Sequence, residues 1–256
     1  MGKKSLITVF IIFFIVLYYL PSNTSYKANI IEDIVISNDV IFRDDFNNLS
    51  SYWQYESIPS QRFASISNSN GLTELKIRLA TRFYYFDAEM FDKDLPYKYN
   101  NMKVKVKVDP IMEGSRGWGF WNGNFYFESC QVAWFIYQKG SLIYPMNGLW
   151  IQCINGNPYN MTTLPVRGYD ISNWHEYEIK WNKNHIEFLI DKNLVANITT
   201  SIPNTPCRAD IWIDNAVWYW QFLKLPYKPI FSWYKLMPNR ILRPTSLYID
   251  YIEITE

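Results

Sequence analysis

Residues 102–108 alternate without a break. Met102, Val104, Val106 and Val108 fall on one side, and Lys103, Lys105 and Lys107 on the other. A period of two with one apolar face is a half-buried β-strand and cannot sit as a helix. The same signal returns at Tyr177, Ile179 and Trp181, which alternate with Glu176, Glu178 and Lys180. After the turn-rich Asn182-Lys183-Asn184 come Ile186, Phe188 and Ile190, so 175–191 reads as a hairpin. Further strands fit 72–79, 125–137, 149–154, 194–200, 209–214 and 246–254. Helical periodicity is scarce and strands do not alternate with helices, which argues against a parallel α/β sheet. Many short strands with polar turns predict two packed antiparallel sheets in one domain. That domain is placed at 41–256, after a linker or first strand at 26–40. The stretch 216–240 is aromatic and broken by Pro226 and Pro229. It reads as a long excursion between two late strands.

Residues 1–25 are a separate object. Lys3 and Lys4 precede an apolar run over 6–20, which Pro21 and a polar stretch end. This is the layout of a signal peptide, or of an N-terminal helical membrane anchor with its lysines in the cytoplasm. Either reading places the rest of the chain outside the cytoplasm, secreted or at the cell surface. Asn23, Asn48, Asn160 and Asn197 each open an N-x-[ST] glycosylation sequon, which agrees with export. Three cysteines are present, and a Cys130–Cys153 disulfide between adjacent strands is one expectation. Buried free thiols are the other, and no C-x-x-C metal or redox motif occurs. The net charge of +1 lacks the basic excess that nucleic-acid binding needs.

Four segments in order carry a family resemblance: Phe42-Arg43-Asp44-Asp45-Phe46 with Trp53, then 174–181, then 186–191, then 247–254. In them the chain resembles the concanavalin A-like lectin and glucanase superfamily, especially laminarinase-like glycoside hydrolases of family sixteen. The resemblance implies a concanavalin A-like jelly-roll sandwich, all-β. Residues 114–122, 132–137 and 211–215 resemble an uncharacterised subgroup of these sandwiches with no known activity. The hydrolases carry E-x-D-x-E or E-x-D-x-x-E on one strand, which sets a nucleophile and a general acid on one face. The matching strand here reads Val132-Ala133-Trp134-Phe135-Ile136-Tyr137, with no carboxylate. By the same resemblance, Asp45 and Asp250 are candidates for a calcium site, since hard oxygen ligands suit that ion.

Other constellations remain. Asp87 and Glu89 lie two apart on an expected strand, and Glu128 opens another, so these acids are catalytic candidates if they meet across a cleft. The histidines, His175 and His185, sit at strand ends without a nucleophile signature. Sugar C–H faces stack on indoles while amides and guanidinium take the hydroxyls. Trp118, Trp121, Asn122, Trp134, Trp150 and Trp212, with Arg116 beside them, are therefore the expected ligand-binding set. The glycines and asparagines of 118–124 read as a loop or bulge. The functional expectation is an extracytoplasmic glycan-binding sandwich. A hydrolase with displaced carboxylates and a structural cell-envelope protein are its alternatives.

Overall fold

The computed structural model describes residues 40–47, 51–80, 84–94, 96–109, 113–124, 129–139, 147–156, 160–217, 237–238 and 243–256. All of them belong to one compact unit, Asn38–Glu256. Seventeen strands form among them: β1 (Val40–Asp44), β2 (Trp53–Ile58), β3 (Ala64–Ser69), β4 (Leu72–Ile77), β5 (Asp87–Asp92), β6 (Asn101–Val108), β7 (Gly114–Trp121), β8 (Gln131–Lys139) and β9 (Gly148–Asn155) in the first half. The second half adds β10 (Met161–Val166), β11 (His175–Trp181), β12 (Ile186–Ile190), β13 (Asn193–Ile198), β14 (Arg208–Asp214), β15 (Ala216–Val217), β16 (Met237–Pro238) and β17 (Thr245–Thr255).

Two antiparallel sheets make the sandwich. The first runs β13-β12-β11-β6-β17-β4-β3, with β1 also paired to β17, and the second runs β10-β9-β8-β7-β14-β5-β2. The alternation of β6 sets its orientation: Met102, Val104, Val106 and Val108 are buried, and the intervening lysines stay part-exposed. The 175–191 hairpin forms with Tyr177 opposite Ile190 and Trp181 opposite Ile186. In β17 a bulge between Ile249 and Tyr251 changes the phase. Leu247 and Ile249 point inward before it, and Ile252 and Ile254 after it.

Rings from both sheets fill the space between them. Trp118 meets Tyr177 with centroids 4.6 Å apart, Phe120 meets Trp181 at 5.3 Å, and Phe135 meets Phe188 at 5.2 Å. Such aromatic burial dominates core energetics, and truncating one of these rings costs about 3–5 kcal/mol.

Several expectations need correction. Of 118–124, expected as a loop or bulge, 118–121 belong instead to strand β7, which is buried at every position, and only 122–124 turn out of it. Its glycines seat side chains of neighbouring strands, as shown below. Residues 125–137 divide, because β8 begins only at Gln131 and 125–128 lie outside the described residues. Cys130 and Cys153 do not form a disulfide. Cys153 points into the core between the sheets, whereas Cys130 joins the cluster on the opposite face of the same sheet. Bridging them would require passing through the sheet. Of the 216–240 excursion, 218–236 and 239–242 lie outside the described residues. Its ends meet where Ala216 pairs with Pro238 and Val217 with Met237. The segments 1–25 and 26–39 lie outside them as well, and Val40 opens β1. Among the described residues no helix is long and apolar enough to cross a membrane.

Candidate functional site

The second sheet has an inner face in the core and an outer face turned away from the first sheet. Period two assigns each side chain. On β8, Ala133 and Phe135 point inward, while Val132, Trp134 and Ile136 point outward. On β14, Ala209, Ile211 and Ile213 point inward, which sends Arg208, Asp210, Trp212 and Asp214 outward. On β5, Ala88 and Met90 point inward, leaving Asp87, Glu89 and Phe91 outside.

The outer face has two halves. The first is an indole cluster. Trp121, Trp134 and Trp212 pack with Val132, Ile136, Ile154 and Met161, and Trp150 lies against them. Trp134 stands 4.6 Å from Trp212 and 6.4 Å from Trp121, centroid to centroid. Two glycines of β7 make this possible. A Cβ on Gly117 would lie 2.2 Å from Cη2 of Trp212, and one on Gly119 would lie 2.5 Å from Cβ of Trp134. The indole of Trp212 therefore lies flat across β7. Hydrogen bonds fix the ring edges. Trp134 Nε1 donates to Gln152 Oε1 (2.9 Å), and Trp212 Nε1 donates to Ser115 Oγ (3.4 Å).

The second half is acidic. Asp87 is register partner of Asp214, Glu89 pairs with Trp212 on one side and with Glu56 on the other, and Asp210 pairs with Phe91. Among the described residues one cation bonds to this group. Arg208 Nη2 donates to Glu89 Oε1 (2.8 Å), and its Nε donates to Asp210 Oδ2 (3.0 Å). Its guanidinium lies between the rings of Phe91 (3.6 Å) and Trp121 (4.8 Å), so it is held as well as paired. Burial, then the Asp214, Asp210 and Glu56 carboxylates, push Asp87 well above the ordinary carboxylate range. Burial and the Asp210 and Asp87 carboxylates do the same to Glu89, against the pull of Arg208. Burial lifts Asp214 to about 7 even though Ala216 N–H, Ser115 N–H and Ser115 Oγ–H all donate to it. Carboxylic acids that keep their protons at neutral pH can donate hydrogen bonds or protons.

Of the expected ligand-binding set, Trp121, Trp134, Trp150 and Trp212 share this face. Trp118 does not: it is fully buried between the sheets against Phe135 and Tyr177. Arg116 shares its phase and also points between the sheets. There Nη1 donates to the Asp109 carbonyl (2.8 Å) and the guanidinium covers the Tyr137 ring at 4.9 Å. Asn122 is occupied by the β7–β8 turn. Its Oδ1 accepts from Gln131 N–H (3.1 Å) and its Nδ2 donates to the Ser129 carbonyl (2.7 Å). Asp87 and Glu89 do share the outer face of β5, both buried, while Glu128 lies outside the described residues. Arg208, Asp210 and Asp214 went unnoticed in the sequence. The alternation of 208–214 carries them on the same side as Trp212.

The remaining candidates stand elsewhere. Asp45 pairs with Arg43 (2.7 Å) and Asp250 with Lys105 (2.7 Å). Among the described residues no group of three His, Cys, Asp or Glu side chains is arranged to hold a metal ion. His175 ties the hairpin ends, with Nδ1 2.6 Å from Asp191 Oδ2 and Nε2 3.0 Å from the Asp170 carbonyl. Asn160 and Asn197 are exposed, whereas Asn23 and Asn48 lie outside the described residues.

Comparison with solved structures finds the same sandwich in glycan hydrolases. A Bacillus licheniformis β-glucanase matches with TM-score 0.60 at 17% identity, over 84% of this chain and 97% of that one. A laminarinase catalytic domain from Thermotoga petrophila matches with TM-score 0.57 at 14% identity, over 86% and 98% of the two chains. A family 16 endo-glucanase from Bacteroides ovatus matches with TM-score 0.55 at 16% identity, over 84% and 100%. The family model described as Glycosyl hydrolases family 16 matches residues 153–219. The chain has the family 16 hydrolase fold. No curated protein matches the sequence. On the strand where the resemblance expects E-x-D-x-E, the family 16 fold here turns Val132, Trp134 and Ile136 outward.

Proposed function

We propose that this chain is a glycan-binding sandwich, displayed outside the cytoplasm by its N-terminal apolar segment. The sugar lies on the outer face of β14, β7, β8 and β9. One observation carries the reading. Four indoles share that face, and apolar side chains occupy the β8 positions where the resemblance calls for catalytic carboxylates. A pyranose C–H face stacks on an indole, and half-buried Trp150 offers one at the margin of the cluster, with buried Trp121, Trp134 and Trp212 packed behind it. The test is saturable binding of the full-length chain to a broad glycan array, with no loss of the arrayed sugar over time. Trp150→Ala should abolish binding while the chain stays folded by far-ultraviolet circular dichroism. An array on which nothing binds refutes the reading.

A second reading has its own support, since Asp87, Glu89 and Asp210 also face outward. It makes the chain a glycoside hydrolase whose acids moved from β8 to β5 and β14. A retaining mechanism needs two carboxyl groups about 5 Å apart, one protonated and one ionised. Release of reducing ends, lost in both Asp87→Asn and Glu89→Gln, is the result that would favour it over simple binding.

A further inference from the structure

The sequon asparagines Asn160 and Asn197 lie outside the indole and acid groups, and the fold brings them to one side of the sandwich. β13 ends the first sheet and β10 ends the second, so among the described residues each of these strands is paired on one side only. The two edges meet. Thr162 Oγ1 lies 3.0 Å from Thr200 Oγ1 and 3.1 Å from Ser201 Oγ. Asn160 stands two residues before Thr162, and Asn197 three residues before Thr200. Both asparagines are exposed.

A free strand edge offers unpaired N–H and C=O groups to another chain, and exposed apolar side chains on it add to the hazard. Leu164 on β10 is 40% exposed and Leu194 on β13 is 53% exposed. β10 carries one guard, Pro165, which has no N–H to donate. In β13 the register skips Val195, and a bulge of this kind spoils an edge for pairing. The half beyond it, 196–198, is regular against 186–188 and holds neither charge nor proline. Its middle residue is Asn197. Ala196 and Ile198 turn into the core, so the Asn197 side chain turns away from it. Asn160 stands where β10 opens, and its Nδ2 donates to the Asn155 carbonyl (3.3 Å). A glycosylated Nδ2 keeps one N–H, so a glycan there is compatible with that bond.

We propose that N-linked glycans on Asn160 and Asn197 cover these two edges and keep the exported chain from pairing strand to strand with a second copy of itself. The proposal rests on the extracytoplasmic half of the functional reading and not on its sugar-binding half. Each carboxamide Nδ2 displaces the diphosphate from C1 of a polyprenyl-diphosphate-linked oligosaccharide. The N–C1 bond forms as the C1–O bond breaks, the diphosphate leaves with the bonding electrons, and Nδ2 gives up one proton. The product is bulky and solubilising, and it stands where other edges carry lysine or proline.

The test begins with the full-length chain translated in the presence of microsomes. The chain should be protected from added protease, and peptide-N-glycosidase should release glycans from both asparagines. A protected chain in which either asparagine is bare overturns the inference alone. An unprotected chain overturns the extracytoplasmic reading with it. The glycosylated chain is then purified from a eukaryotic secretory host in mild detergent and followed by sedimentation velocity. It should run as a monomer. Enzymatic removal of the glycans from the folded chain should shift it to dimers or larger species, and so should Asn160→Gln combined with Asn197→Gln. Asn197→Lys, which sets a charge on the same edge, should associate less than Asn197→Gln. A chain that stays monomeric once its glycans are removed, or that associates equally with and without them, overturns the shielding of the edges and leaves the glycan-binding reading to the array.

Discussion

Gly117→Ala tests the construction of the outer face at its tightest point. The added Cβ would meet Cη2 of Trp212 at 2.2 Å, Cζ3 at 2.6 Å and the Phe135 carbonyl oxygen at 2.7 Å. Ordinary contact for such an atom begins near 3.4 Å, so the overlap with the indole exceeds an ångström. The ring is not free to move away, because it packs on Trp134 at 4.6 Å and its Nε1 bonds to Ser115. The carbonyl belongs to the neighbouring strand and moves only with the sheet. Overpacking of this kind costs about 1–3 kcal/mol, and here the upper end is expected. Trp212→Ala alone should cost about 3–5 kcal/mol. The informative measurement is the double variant. Removing the indole removes two of the three clashes, so the combined loss should fall short of the sum by about 1–2 kcal/mol. Urea unfolding followed by far-ultraviolet circular dichroism gives all four stabilities. A Gly117→Ala chain within about 0.5 kcal/mol of the parent refutes the argument that glycine seats the indole. Strict additivity in the double variant refutes it equally.

Three further outcomes are expected. Burial pushes Asp214 and Asp92 from 3.8 to about 7, so the folded chain holds protons that the unfolded chain releases. Stability should therefore fall as pH rises from about 4 to about 7, by up to about 4 kcal/mol for Asp214, and Asp214→Asn should flatten the slope; a melting temperature that is level or rises over this range contradicts it. Below that window the sign reverses, because Glu74 and Asp191 are held low, by Ser246 and Lys76 and by His175, and their contribution is lost on acidification. With Cys130 and Cys153 on opposite faces of one sheet, reductant should leave the melting temperature unchanged, and thiol reagents should label the cysteines only after unfolding; a drop in melting temperature on reduction would restore the disulfide. Trp118→Ala should cost about 3–5 kcal/mol of stability, whereas half-buried Trp150→Ala should cost distinctly less and weaken glycan binding instead; equal stability losses would show that the two indoles do not differ in role.

What was legible in the sequence follows from exposure. β6 and β11 each keep one wet face, so lysine and glutamate mark every second position and the period can be counted. β7 is buried on both sides and has no polar beat, and three glycines within it imitate a turn. The indole list mixed two faces for the same reason. Trp118 and Trp121 are three residues apart, so once β7 is a strand they must point to opposite sides, and Arg116 must follow Trp118. The cysteines show the same logic across strands. Ala133 pairs with Cys153 and points inward with it, which leaves Cys130 on the other side. Arg208, Asp210 and Asp214 were visible as alternate residues of 208–214. Their importance came only from β5, about 120 residues earlier, which topology sets alongside them.

The same alternation separates the packing of this sandwich from whatever its outer face presents. Each strand of the second sheet contributes to two surfaces that do not share atoms. On β8, Ala133 and Phe135 hold the core, while Val132, Trp134 and Ile136 face outward. On β14, Ala209, Ile211 and Ile213 hold the core, while Arg208, Asp210, Trp212 and Asp214 face outward. Replacing an outward acid by an apolar side chain leaves the inter-sheet packing untouched, so the fold does not constrain the chemistry. The reverse does not hold. Acids gathered on β5 and β14 need Arg208, and Arg208 needs the rings of Phe91 and Trp121 to hold it. The acidic group and the indole cluster are thus joined through one guanidinium, so losing Trp121 should loosen Arg208 and with it the hold on Glu89 and Asp210.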